Sequence, residues 1–196
     1  MSSGLGGPDW RETLIEVGRD LYAHNLVTSH GGNLSVRRPA GGALITATGA
    51  MLGRLDETRL IAVDERGEPL SPKAPAPSSN TDVHLAIYAA HAEARAIIHA
   101  HPVYAVARSL AMREVAPEAE FAPINLEAQL ILKSPVPVLT VDWENTADAV
   151  AEALHRCPVV LVRGHGSFAM GTDLWQALNY TSVLEEAAQI ATLAGR

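Results

Sequence analysis

Residues 95–101, Arg-Ala-Ile-Ile-His-Ala-His, limit most strongly what this chain can fold into. The run is apolar and β-branched and Pro102 closes it, so it reads as a buried strand. Residues i and i+2 share one face of a strand. His99 and His101 therefore project side by side from the end of this one. Paired imidazoles in apolar surroundings must share or repel protons unless a cation holds both neutral. A hydrogen-bonded pair of core histidines is the plain alternative, but the spacing points to a metal. His165 stands between Gly164 and Gly166, directly after the apolar run Val159–Val162. Alone, a histidine in a glycine turn is weak evidence. With the strand pair it completes three imidazoles, and three neutral nitrogens with an open fourth position are what a catalytic zinc requires. A structural zinc would use cysteines, and Cys157 is the only one. His24, His30, His84, His91 and His155 have no comparable spacing. They read as helix-face or surface residues, with His84 a candidate for the interior.

Around that strand, short strands and helices are interspersed. Apolar positions recur at helical spacing from Asp9 to about Asn25, with Asp9 as N-cap and Glu12 in a capping-box position. Strands are expected at 34–38, 43–47, 60–64, 136–141, 159–162 and 167–170. Further helices are expected at 81–91, 103–112, 125–132, 146–155 and 173–193. Several connections have hairpin length, which implies a largely antiparallel or mixed sheet with helices packed on it. Residues 1–8 read as a loose tail, and residues 9–196 as one domain. The Pro-rich stretch 71–80 reads as an ordered loop, because neither half of the chain has enough apolar length to fold alone.

The balance of residue types removes several classes of function. At 47% apolar and 19% charged the chain can bury a real core. A net charge of −7 is the wrong sign for bulk binding to nucleic acid or to an acidic membrane. No apolar run approaches the roughly 18 residues a membrane helix needs. The N-terminus lacks the pattern of a signal peptide. A single cysteine suits a reducing cytoplasm. Small polar residues cluster at three element boundaries: Gly31-Gly32-Asn33, Thr46-Ala47-Thr48-Gly49 and Ser78-Ser79-Asn80. Capping and turning are the commonest uses of such residues. Ser78-Ser79-Asn80 also opens a helix, however, and a helix N-terminus is a natural seat for phosphate. With the histidines, these loops point to a phosphorylated or polyhydroxylated substrate. None is a Walker or dinucleotide fingerprint, which argues against a nucleotide cofactor.

Five motifs occur in order: Gly32-Asn33-Leu34-Ser35, Ile45-Thr46-Ala47-Thr48-Gly49, Pro77-Ser78-Ser79 with His84-Leu85-Ala86-Ile87-Tyr88, Ile98-His99-Ala100-His101-Pro102, and Arg163-Gly164-His165-Gly166. The series resembles the class II aldolase/adducin family, its sugar-phosphate-cleaving aldolases in particular, over about residues 10–194. The resemblance implies a single three-layer α/β/α domain with a mostly antiparallel central sheet. It implies a homotetramer with active sites at subunit interfaces. It also implies one Zn2+ per subunit, with Mn2+ or Co2+ as alternatives, held by His99, His101 and His165. The substrate phosphate would lie on Gly32, Asn33, Thr48, Gly49, Ser78 and Ser79. The implied reaction is cleavage of a ketose phosphate, of the L-fuculose 1-phosphate kind, to dihydroxyacetone phosphate and an aldehyde. Two departures bear on it. Asn80 stands where the aldolases carry a glutamate that assists proton transfer, and an amide cannot exchange that proton. The segment Pro123-Ile124-Asn125-Leu126-Glu127 lacks the aldolases' tyrosine. Related dehydratases of methylthioribulose phosphate use a glutamate in this segment as base, which makes Glu127 the candidate here. Dehydration, or a catalytically silent adducin-like binding module, are the alternatives. No nucleic-acid or membrane partner is expected.

Overall fold

A computed structural model describes residues 10–112 and 119–196. The expected tail and the Asp9 cap lie outside the described residues. The chain runs α1 (Trp10–Ala23), β1 (Asn33–Arg37), β2 (Ala43–Thr46), two short 3-10 turns (Leu52–Arg54 and Glu57–Arg59), β3 (Leu60–Val63), α2 (Thr81–Ala90) and β4 (Ala96–Ala100). It continues through α3 (Val103–Ala111), β5 (Glu120–Phe121), α4 (Leu126–Leu132) and β6 (Val136–Leu139). A third 3-10 turn (Trp143–Asn145), α5 (Thr146–Ala153), β7 (Val159–Val162), β8 (Gly166–Gly171) and α6 (Leu174–Leu193) complete it.

The strands form one sheet in the order β3-β2-β1-β4-β8-β7-β6-β5, which puts the histidine strand β4 near its middle. Neighbouring strands run antiparallel except β6 and β7, which are parallel, with Val138 opposite Leu161. The sheet is therefore mixed, antiparallel but for this one pair, where the resemblance implies a mostly antiparallel one. The cause is local: α5 lies between β6 and β7 in the chain, and a helical crossover returns the next strand in the same direction. The short edge strand β5 was not expected from the sequence.

Alternation along β4 sorts the two faces. Ala96, Ile98 and Ala100 pack against Leu14, Val17 and Leu21 of α1 and Leu174 and Ala177 of α6. Ile97 points the other way, into a core with Val83 and Ile87 of α2, Val150 of α5, Leu154 just after it, and Phe168. Beyond β8 the first face continues under α3, α4 and α6 through Ala105, Leu132, Leu184 and Ala188. Helices thus cover both faces, giving the three layers. His99, two residues after Ile97, falls on the α2/α5 face.

Side-chain caps fix the start of α6 and the start of α3. The Asp173 side chain accepts from the Gln176 N–H at 2.8 Å and starts α6. The Glu185 carboxylate of α6 accepts from the Tyr104 and Ala105 N–H groups, both at 2.9 Å. A carboxylate so placed satisfies amides that the first turn of a helix leaves free and favours its positive end. It ties the start of α3, and so the chain just after His101, to the long helix α6.

Candidate metal centre

His99 is in register with Asn33 on β1 and with Phe168 on β8. The site therefore sits where three central strands meet. The His99 ring is buried, and Phe168 stacks on it at 4.2 Å between centroids and 18°. Its Nδ1–H donates to the Ser167 carbonyl at 3.0 Å, which leaves the lone pair on Nε2. The His101 N–H donates to Leu26 O at 2.8 Å and anchors the end of the strand. His101 Nε2 lies 3.0 Å from His99 Nε2. Two lone pairs at that distance repel unless a proton or a cation lies between them. The His165 ring stacks on His99 at 4.9 Å and meets His101 edge-on at 5.4 Å. One nitrogen from each of the three lies within 4.8 Å of the others, a set that could hold a metal ion.

Electrostatics suits the set to that role. Burial, with His101 and His165 nearby, holds His99 well below the ordinary histidine range. Burial and the neighbouring His165 lower His101, and burial lowers His165. All three are therefore neutral near pH 7, the form a metal requires.

The β7–β8 turn carries His165 and is held from two sides. The Arg163 guanidinium donates to the carbonyls of Ser109, Leu110 and Met112 at 3.2–3.3 Å, at the C-terminal end of α3. The Gly164 N–H donates to Ser109 Oγ at 3.0 Å. The two glycines flanking His165 are there for different reasons. Gly164 has φ +70°, left-handed backbone that costs most other residues about 1 kcal/mol or more. Gly166 makes room: a Cβ there would lie 2.3 Å from Ala100 O and 2.7 Å from His101 Cδ2.

The small-residue loops converge beside the histidines. A Cβ on Gly31 would lie 2.8 Å from His101 Nδ1, and one on Gly32 would lie 2.7 Å from His99 O. Asn33 Nδ2 donates to Asn80 Oδ1 at 3.0 Å, which brings the start of α2 against β1. The Thr48 N–H donates to Ala76 O, the Ser78 N–H to Thr46 O, and Thr48 Oγ1 to Pro77 O at 2.6 Å. Hydrogen bonds thus join the segments Gly32-Asn33, Thr48-Gly49 and Ser78-Ser79-Asn80 to one another. Ser78 is buried and its Oγ accepts from the Asn80 N–H, while Ser79, Thr48 and Gly49 are exposed. Asn33 Oδ1 and Asn80 Nδ2 are buried without a partner. Buried polar atoms in folded proteins are nearly always paired, so an orphaned acceptor beside an orphaned donor marks a place a ligand would complete.

Glu127 stands apart. It is exposed in the first turn of α4, whose Ala128 and Leu132 pack on the face opposite to His99. No contact joins it to the histidines among the described residues.

A polar ladder between β1 and α2 was not foreseen. Below the Asn33–Asn80 pair, Ser35 Oγ bonds both His84 Nδ1 (2.7 Å) and Tyr88 OH (2.8 Å). Burial pushes the fully enclosed His84 down to about 3, so it stays neutral. Its edge meets Phe168, the ring stacked on His99. The interior placement considered for His84 thus holds. His91, read as a helix-face or surface residue, is buried: its Nε2–H donates to the Ala151 carbonyl at 2.8 Å where α2 packs on α5.

This α/β fold and its histidine cluster place the protein in the class II aldolase superfamily, whose aldolases are metal-dependent. The chain belongs to the class II aldolase and adducin N-terminal domain family, whose profile matches residues 12–192. Its relatives differ in reaction. It is 30% identical over 182 residues to a 3-oxo-tetronate 4-phosphate decarboxylase of Haemophilus influenzae, covering 92% of this chain and 85% of that protein. It is 32% identical to a methylthioribulose-1-phosphate dehydratase of Granulibacter bethesdensis, covering 91% and 89%. Among solved structures, L-fuculose-1-phosphate aldolase of Thermus thermophilus superposes with a TM-score of 0.82 at 37% identity, covering 94% of this chain and 95% of that one.

Proposed function

We propose that this protein is a metal-dependent lyase that cleaves a ketose phosphate of the L-fuculose 1-phosphate kind to dihydroxyacetone phosphate and an aldehyde. The observation that carries the reading is three neutral, converging imidazoles beside the unpartnered Asn33 Oδ1 and Asn80 Nδ2 atoms and a run of small polar loops. A divalent cation, zinc by preference for an all-nitrogen set, would be held by His99, His101 and His165 and would supply Lewis-acid stabilisation of negative charge developing on the substrate oxygens. The exposed Thr48, Gly49 and Ser79, with Gly32 and Asn33, hold the phosphate and so orient the reacting bond towards the histidines. Asn33 Oδ1 accepts from a substrate hydroxyl, and Asn80 Nδ2 donates to a substrate oxygen. Neither amide moves a proton.

That task falls to Glu127. Leu126 and Leu130 beside it are 69% and 66% exposed. Burying such a face in a homotetramer would carry the Glu127 carboxylate to a neighbouring subunit's site. A cytoplasmic location accords with the single, buried cysteine. No helix among the described residues is long and apolar enough to cross a membrane.

Asn80 favours a second reading. Loss of carbon dioxide from a 3-oxo acid phosphate breaks the bond to the carboxylate and leaves its electron pair on the substrate, with no prior removal of a proton. A site without a carboxylate at position 80 suits that reaction, the one named for the Haemophilus relative. Incubating the zinc-loaded protein with L-fuculose 1-phosphate, methylthioribulose 1-phosphate and 3-oxo-tetronate 4-phosphate separates the cases. Dihydroxyacetone phosphate with an aldehyde supports the first reading. Carbon dioxide with dihydroxyacetone phosphate, and no aldehyde, replaces it with the second, and a diketone phosphate replaces it with dehydration. No turnover by metal-loaded protein refutes all three and leaves an adducin-like binding module.

A further inference from the structure

The histidines lie at one end of the β1–β4 pair. At the other end, a cavity of about 490 Å3 opens between the β1–β2 hairpin and the second half of α2. Arg37, Arg38 and Arg95 line it, and among the described residues Glu65 is the only acidic one on its wall. Arg37 is four residues along β1 from Asn33, about 13 Å. One phosphate group cannot serve both ends.

The three arginines are not equally committed. Arg37 donates to the carbonyls of Ala94, Tyr88 and His91 at 2.5–2.7 Å and lies over the Tyr88 ring, so it closes the C-terminal end of α2. Its role in the fold is accounted for, and its charge stays on the cavity floor. Arg38 uses one nitrogen on the Gly41 and Val63 carbonyls. The exposed Arg95 side chain has no hydrogen bond or ion pair among the described residues. Among the described residues neither Arg38 nor Arg95 has a carboxylate within ion-pair distance.

The arrangement is electrostatically unfavourable as it stands. The Arg37 N–H donates to Arg95 O at 2.8 Å, so the two residues are neighbours across adjacent strands. Like charges so placed repel. Burial, and in smaller part Arg95, accordingly holds Arg37 below the ordinary arginine range. On the wall itself three guanidiniums face one carboxylate, an excess of two positive charges that the more distant Glu93 offsets only in part, on a chain whose net charge is −7. A phosphate dianion neutralises both, whereas a monocarboxylate neutralises one. The planar fork of arginine also matches phosphate oxygens two at a time.

We propose that this cavity is a second anion site, separate from the histidine centre, that takes inorganic phosphate or a phosphomonoester on Arg38 and Arg95 above the fixed charge of Arg37. The test is equilibrium dialysis of inorganic phosphate against zinc-loaded protein at low ionic strength. Wild-type protein is expected to bind one equivalent more per chain than Arg38→Gln/Arg95→Gln, with metal content unchanged between them. Asn33→Ala/Ser79→Ala protein is expected to keep that equivalent, which distinguishes it from any phosphate held beside the histidines. Should the glutamine pair fail to fold, Arg38→Lys/Arg95→Lys keeps both charges and removes the forks, and binding then weakens several-fold. Equal phosphate stoichiometry in wild type and the glutamine pair, or undiminished binding by the lysine pair, overturns the proposal. Either result stands whether or not any ketose phosphate is turned over.

Discussion

Replacing Gly166 with alanine tests the packing of the histidine centre at its tightest point. The new Cβ would stand 2.3 Å from Ala100 O, 2.7 Å from His101 Cδ2 and 3.2 Å from His99 Cε1. Ordinary contact begins near 3.4 Å, so the methyl and the Ala100 carbonyl must part by about 1 Å. Both belong to paired strands, β8 and β4, which cannot separate without loss of ladder hydrogen bonds. Overpacking of this sort costs about 1–3 kcal/mol, and contact with backbone rather than a flexible side chain puts Gly166→Ala at the upper end. For a chain of this size, 3 kcal/mol lowers the unfolding midpoint by roughly 6–12 °C. The displaced His101 ring also leaves His99, so metal content falls with stability. Gly49→Ala is the control. It introduces alanine at φ +67° with nothing within 4 Å, so only the backbone cost of about 1 kcal/mol applies and the metal stays. Thermal unfolding with elemental analysis of the purified variants reads both effects. A Gly166→Ala protein with wild-type midpoint and full metal would refute the packing described for the two rings.

Three further outcomes follow from the same geometry. Folded His84 resists protonation down to about 3, against 6.5 when free, so below pH 6.5 the unfolded chain binds more protons. Stability is therefore complete above pH 6.5 and falls on acidification, by about 1.4 kcal/mol per pH unit from this group. The depressed His99, His101 and His165 add to the slope in the same direction. Urea titrations across the mildly acidic range should show a shallower slope in His84→Gln, and an unchanged slope contradicts the assignment. Ser35→Ala strips partners from His84 Nδ1 and Tyr88 OH, both buried, at about 1–3 kcal/mol each; a urea midpoint near wild type would show that the ladder is not a working contact. Arg163→Ala frees the turn bearing His165 from the end of α3 and should weaken metal binding about 10–100-fold in competition with a chelator. Unaltered affinity would mean that the turn holds its shape without the clamp.

What could be read from the sequence was whatever local spacing encodes. His99 and His101 face one way because they are two apart on a strand, and the Pro102 that stops the strand also starts the next helix. His165 was recognisable from its glycine neighbours, although only coordinates separate the conformational need at Gly164 from the spatial need at Gly166. The Asn33–Asn80 and Ser35–His84 contacts join residues 47 and 49 positions apart, and no local pattern announces them. A clue did exist. Asn33, Ser35 and Arg37 alternate on a strand while Asn80, His84 and Tyr88 recur every four residues, so each set defines one polar stripe. Hydropathy gave His91 no reason to be inside, because its burial depends on a carbonyl of α5. The parallel pairing of β6 and β7 was likewise settled by where α5 crosses the sheet, which is a tertiary matter.

The most direct test is X-ray absorption at the metal edge, with elemental analysis, on purified protein and on His99→Ala. Wild-type protein should carry one divalent ion per chain, ringed by three imidazole nitrogens at about 2.0–2.1 Å, and the variant should lose that ion. A variant that keeps its full complement, or a wild-type spectrum without imidazole scattering, would contradict the three-imidazole centre.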